Sequence, residues 1–109
     1  MIPEPAVTVS LTTATEDRVV IGVGGEIDHA TAHRMHDDVL ALTSGGTIHL
    51  QLDFSGVGFC DSSGMSALLG IWRHLHAHGG TLAISAVPAK IAKALRIGGL
   101  DQIITVHLA

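Results

Sequence analysis

A single cysteine, three prolines and no tyrosine stand out in a chain of 109 residues. One cysteine cannot close an intramolecular disulfide and excludes a four-thiolate zinc site. Bases are scarce as well: six Lys and Arg against ten Asp and Glu give a formal charge of −4, and the six form no cluster. A protein that grips a phosphate backbone carries a basic face, so direct nucleic-acid binding is not expected. No apolar run approaches the ~18 residues of a membrane helix. The first ten residues, MIPEPAVTVS, lack the basic-then-apolar order of a signal peptide. The expectation is a cytoplasmic protein with no membrane association.

What is present is an ordinary globular composition, 47% apolar and 15% charged, which separates the chain from disordered sequences. The length suits one domain over residues 1–109, because two domains would each have too small a core.

From Pro5 to Leu11, Val7, Val9 and Leu11 alternate with Thr8 and Ser10, the period-two signature of a half-buried strand. A polar break from Thr12 to Asp17 precedes the β-branched run Arg18 to Val23, predicting an antiparallel hairpin that Gly24 and Gly25 interrupt. The period then changes. Ala32, Met35, Val39 and Leu42 share one helical face, with Asp28 placed as N-cap and Ser44-Gly45-Gly46 as the stop. Ile48 to Phe54 reads as a strand, and a second helix opens at Asp61-Ser62-Ser63-Gly64 and runs to about His78. Thr81 to Ala86 is a further strand, Pro88 suits the first position of a third helix closing at Gly98-Gly99, and Ile103 to Val106 is a last strand. The predicted order is β-β-α-β-α-β-α-β: an α/β fold with a mixed sheet of four or five strands and three helices packed mainly against one face.

The densest local signal is the stretch from Leu52 to Met65, where a buried strand stops and a helix starts, the position α/β sheets use for ligands and partners. On that helix Met65, Leu68, Leu69, Ile71, Trp72 and Leu75 fall within one arc, and Ser63 projects roughly opposite. The Ser63 hydroxyl is therefore expected to face outward at the first turn. Asp61, Ser62 and Ser63 can all be read as caps. A helix needs only one, so three consecutive candidates leave a hydroxyl open for another role.

Ser63 as a hydrolytic nucleophile needs a base and an orienting group. His29 is the histidine placed to serve, yet no Gly-x-Ser-x-Gly elbow occurs. Gly22-Val23-Gly24-Gly25-Glu26-Ile27 misses the last glycine of a dinucleotide fingerprint, and no Gly-x-x-x-x-Gly-Lys run exists, so these glycines read as a sharp turn. His29, His33 and His36 line one stripe of the first helix, read as a polar flank; a histidine run alone is weak metal evidence. His74, His76 and His78 lie near a helix end, where the dipole favours positive charge. Cys60 reads as a buried small apolar residue, and Asp53 as an acceptor of turn amides.

Gly25-Glu26-Ile27-Asp28 opening the first helix and Asp61-Ser62-Ser63-Gly64 opening the second, with Gly79-Gly80-Thr81-Leu82 and Ile97-Gly98-Gly99-Leu100 beyond, resemble the STAS domain of bacterial anti-sigma factor antagonists. The resemblance covers nearly the whole chain. It implies that Ser63 is the phosphoacceptor of a partner that is both anti-sigma factor and serine kinase. Asp28, Asp61, Ser62 and Gly64 would shape the partner-binding patch. It further implies that the unphosphorylated form sequesters the anti-sigma factor and frees sigma factor, that phosphorylation blocks this, and that a PP2C-type phosphatase reverses it. The chain itself would need no cofactor and perform no catalysis, since ATP and Mg²⁺ belong to the kinase. No attached transporter of the kind found in the family's sulfate-carrier branch is expected. Two alternatives stay open: a STAS subunit docking on a transport ATPase, and a small hydrolase built on Ser63 and His29.

Overall fold

A computed structural model describes residues 7–43 and 49–109. Its elements are β1 (Val7–Ala14), β2 (Arg18–Ile27), α1 (Ala32–Thr43), β3 (His49–Cys60), α2 (Ser62–Ala77), β4 (Thr81–Val87), α3 (Ala89–Ile97) and β5 (Thr105–Leu108), with a 3₁₀ turn at Leu100–Gln102. The order is the predicted one. Pro5, Ile48 and the Ser44-Gly45-Gly46 stop lie outside the described residues.

The sheet has five strands in the order β1-β2-β3-β4-β5, with β1 antiparallel and the others parallel. Each parallel pair is joined by a crossover helix, and each crossover moves one strand further in the same direction. Right-handed crossovers of that kind set all three helices on one face. Burial follows the pleat: Val19, Ile21 and Val23 on β2 and Leu50, Leu52 and Phe54 on β3 are buried, whereas Val20, Gly22, Gln51 and Asp53 between them are only half-buried. The opposite face is polar, with Gln51 Nε2 donating to Ser85 Oγ at 2.9 Å.

The strands run further than their sequence pattern, β4 by one residue to Val87, and β5 occupies Thr105–Leu108 in place of the expected Ile103–Val106. β1 continues through Thr12–Ala14, where the expected polar break carries a register shift between Leu11 and Thr13. β2 passes through Gly24 and Gly25 to Ile27, because the irregularity is absorbed by two register shifts against β3 and by a φ of +89° at Gly25. β3 extends six residues beyond Phe54, paired over that stretch with β2 and not with β4. In β4, Ala86 carries a φ of +52° at the register shift toward β5.

The helices bury the faces their spacing predicts, with one exchange. Ala32, Met35 and Val39 are buried on α1, but the fourth buried position is Thr43, while Leu42 is 38% exposed. Thr43 tolerates burial because its hydroxyl donates to the Leu40 carbonyl at 2.9 Å. On α2, Leu68, Ile71 and Leu75 are buried, and Met65 and Trp72 pack at the margin. Pro88 is the N-cap of α3, one position before the place expected for it, and Gly98 closes that helix.

Candidate functional site

The two motifs meet at the C-terminal edge of the parallel strands. Ile27 and Cys60 are register partners at the ends of β2 and β3, so Asp28 and Asp61 are the next residues along two neighbouring strands. The amide of Asp61 donates to the carbonyl of Ile27 at 3.2 Å, tying the two turns together. This is the edge at which α/β sheets present their sites.

Asp61 is the N-cap of α2. Its Oδ1 accepts the amides of Ser63 at 2.9 Å and Gly64 at 3.2 Å, and its carbonyl accepts the amide of Met65. Asp28 performs a related service one turn ahead of α1: its Oδ1 accepts the amide of Ala30 at 2.9 Å and the amide and hydroxyl of Thr31 at 3.2 and 3.1 Å. The Thr31 hydroxyl also donates to the Glu26 carbonyl at 2.8 Å. Asp28 thus accepts the free amides of the turn leading into α1, as its N-cap reading expects, and its carbonyl accepts the amide of Ala32, the first residue of the helix, at 2.9 Å.

Capping by Asp61 leaves both serine hydroxyls without a hydrogen bond to any described residue. They point in different directions, because adjacent helical residues diverge by about 100°. Ser62 is exposed and borders a 310 Å³ hollow against Met65, Leu69, Gly98 and Leu100. Ser63 is half-buried and lines a 480 Å³ groove between α1 and α2, together with His29, His33, His36, Ser66 and Gly70. The Ser63 hydroxyl therefore opens into a groove and not onto the convex surface that its place opposite the apolar arc suggests.

Gly64, expected within the docking patch, is buried instead. A Cβ there would lie 2.6 Å from Cys60 Sγ and 2.8 Å from Ile27 Cγ2, so its absence lets the first turn of α2 sit on the ends of β2 and β3. Cys60 is buried as expected, and burial pushes its thiol up to about 11. Asp53 accepts the Ser55 amide at 2.8 Å, the turn role anticipated for it.

The histidine stripe, read in the sequence as a bland flank, is the opposite wall of the Ser63 groove. Asp37 orients two of its rings: His33 Nε2 lies 3.1 Å from Asp37 Oδ2 and His36 Nδ1 lies 3.0 Å from Asp37 Oδ1. The hydrogen bond from His36 holds the Asp37 carboxyl below its ordinary range, aided by the nearby charges of His33 and His36. The His36 ring lies over Gly70, 3.2 Å from where a Cβ would stand, so the two helices meet through an imidazole at a residue with no side chain. Among the described residues no group of three or more His, Cys, Asp and Glu is arranged to hold a metal ion. Ser63 and His29 share the groove, and no hydrogen bond joins them. The adjacent amides of Ser63 and Gly64, which an oxyanion would use, are taken by Asp61. Phe59 was not singled out by the sequence pattern; it is 41% exposed beside Glu26, just before Asp61.

No helix among the described residues is long and apolar enough to cross a membrane. A family model described as "Mlab, STAS domain" matches residues 10–106. The anti-sigma F factor antagonist of Paenibacillus polymyxa is 29% identical over 91 residues, 82% of this chain and 77% of that protein. The anti-sigma factor antagonist SpoIIAA in its unphosphorylated form superposes with a TM-score of 0.76 at 26% identity, over 91% of this chain and 87% of that one. The Bacillus cell fate determinant SpoIIAA in its phosphorylated form gives 0.67 at 26% identity, over 91% and 90%. These relatives are regulatory binding proteins, and the five-stranded sheet with its three helices is the one they share. With the family model spanning nearly all of the sequence, the chain belongs to the STAS-domain family.

Proposed function

We propose that the protein is a cytoplasmic anti-sigma factor antagonist whose binding is switched at Ser63. The unphosphorylated form binds an anti-sigma factor that is also a serine kinase, and sigma factor is released. The kinase transfers the γ-phosphoryl group of ATP to Ser63: the Ser63 Oγ–P bond forms, the bond to ADP breaks, and the hydroxyl proton passes to the kinase. A PP2C-type phosphatase hydrolyses the ester and restores binding.

The observation that carries this reading is the Ser63 hydroxyl, without a hydrogen bond to any described residue and opening into a groove at the sheet edge where the two family motifs converge. The names of the relatives support the same role. Asp28, Asp61, Ser62 and the exposed Phe59 would frame the docking patch around it. A phosphate adds about −1.5 to −2 charges and three acceptor oxygens. Asp28 and Asp61 make that neighbourhood more negative still, so a partner surface shaped for a neutral hydroxyl meets bulk and an uncompensated charge. A coupling of ~3 kcal/mol, about a hundredfold or more in affinity, is enough for a switch.

Incubating the purified domain with the candidate kinase and ATP tests the assignment. Label is expected on the wild type and absent from Ser63→Ala; label that persists on Ser63→Ala refutes it. A pull-down from the native host then separates an anti-sigma kinase from a transport ATPase, because the second would return membrane components.

A further inference from the structure

Charge is segregated along this chain. From Ser62 to Leu100 there is no acid at all, and that stretch holds Arg73, Lys90, Lys93 and Arg96; all ten acids lie outside it, with only Arg18 and Arg34. The bases form no run in the sequence, but α3 gathers three of them. Lys90, Lys93 and Arg96 stand three residues apart, so the helix sets them on successive turns of the side away from its buried Ile91 and Leu95. All three are exposed, and none forms an ion pair with a described residue.

Helix stability accounts for Arg96, which sits in the last turn where a cation is favoured. It does not account for Lys90. That residue lies in the first turn, at the positive end of the dipole, in a helix with no acid there and no side-chain bond from its N-cap Pro88. A cation placed against its own helix is understandable when an anion arrives from outside. Apolar surface adjoins it. The end of α3 meets α2 where Met65 Sδ takes the space a Cβ on Gly98 would need. Beside that contact Met65, Leu69, Gly98 and Leu100 line the 310 Å³ hollow that Ser62 borders, and the neighbouring Ile97 is 76% exposed.

We propose that the cationic side of α3, with the hollow at its C-terminal end, is a docking surface for an acidic segment of the anti-sigma factor, one of whose apolar side chains fills the hollow. The proposal rests on that protein being the partner that reaches Ser63, and adds where its acidic surface goes. Ser62 borders the hollow, so this surface is continuous with the patch at the motif edge. An anionic membrane fits less well, because a flat surface cannot enter a hollow and the chain as a whole carries a charge of −4. Charges at the rim of an interface act mainly on the rate of association, and salt screens them.

Titration calorimetry of the full chain against the purified anti-sigma factor, at ~0.1 and ~0.5 M salt, tests this. Lys90→Glu/Lys93→Glu is expected to weaken binding at least ~tenfold at the lower salt, with the gap narrowing at the higher. Ile97→Ser should weaken it at both. Arg18→Glu, at the opposite end of β2 from Asp28, changes the net charge as much as Lys90→Glu does and should have no effect. Lys90→Glu puts an acid at the positive end of α3, so its thermal midpoint should not fall below that of the wild type, and weaker binding is then not a folding defect. Reversal variants that bind like the wild type, or a loss in Arg18→Glu equal to that in Lys90→Glu, overturn the docking surface and leave Ser63 labelling intact. A wild type that does not bind the anti-sigma factor defeats the proposed function and this surface with it. Pelleting of the chain with phosphatidylglycerol vesicles that Lys90→Glu/Lys93→Glu abolishes would assign the surface to a membrane and overturn it too.

Discussion

The Asp61 amide and the Ile27 carbonyl, 3.2 Å apart, join the turn after β3 to the turn after β2. That bond makes one structural unit of two motifs more than thirty residues apart in sequence. A substitution that shifts one turn is therefore expected to disturb the other.

Ser63→Asp should mimic the modified state incompletely and weaken anti-sigma factor binding by about tenfold to a hundredfold. Ser62→Asp, turned about 100° away around the helix, should weaken it by less than Ser63→Asp. Titration calorimetry against the purified partner measures both, and equal losses would contradict the assignment of separate faces.

Asp61→Ala removes the cap that accepts the Ser63 and Gly64 amides. Loss of such a cap costs about 0.5–2 kcal/mol, seen as a lower urea midpoint with an unchanged slope. Asp61→Asn, which keeps an acceptor oxygen, should lose less.

Gly64→Ala should destabilise by about 1–3 kcal/mol, because the added methyl meets Cys60 Sγ and Ile27 Cγ2 at under 3 Å. Thermal unfolding reads the loss. The double variant Gly64→Ala/Cys60→Ala should recover part of it, since the nearer obstruction is then removed.

Cys60 gives a pH signature. Its thiol rises from 9.0 to about 11 on folding, so above pH 9 the unfolded chain ionises while the folded chain still holds its proton. The unfolded state then binds fewer protons, and stability falls as pH climbs from 9 toward 11. Native protein should resist alkylation at pH 8 and react once unfolded in urea. Prompt alkylation of the native thiol would contradict its burial.

Periodicity carried the element order and most of the core, because a 3.6-residue repeat and a two-residue repeat are hard to confuse over ten residues. It failed where glycine and threonine conceal a strand. Gly24 and Gly25 look like a break, yet β2 continues through them with shifted register, since a bulge needs a residue tolerant of positive φ. Thr43 took the buried place expected for Leu42 because a local hydrogen bond satisfied its hydroxyl, which a hydrophobic count does not register. At the site, Ser63 was legible from its motif and Asp61 from cap chemistry. The histidine wall facing Ser63 was not, because that juxtaposition depends on how closely α1 approaches α2, and the approach is set by Gly70 beneath the His36 ring.

Strand order in the sheet follows chain order from β1 to β5 without a single exchange. Every ladder therefore joins neighbours along the polypeptide, and none waits for a remote segment to be synthesised. Such a chain can grow by accretion as it leaves the ribosome, one βα unit settling on the last. The parallel ladder of β2 with β3 nevertheless closes a loop of about thirty residues, as Arg18 pairing with His49 shows, so it forms only once the segment between its strands has been made. The sheet can therefore be completed outward from β2, and its last ladder, β4 with β5, waits for Thr105–Leu108.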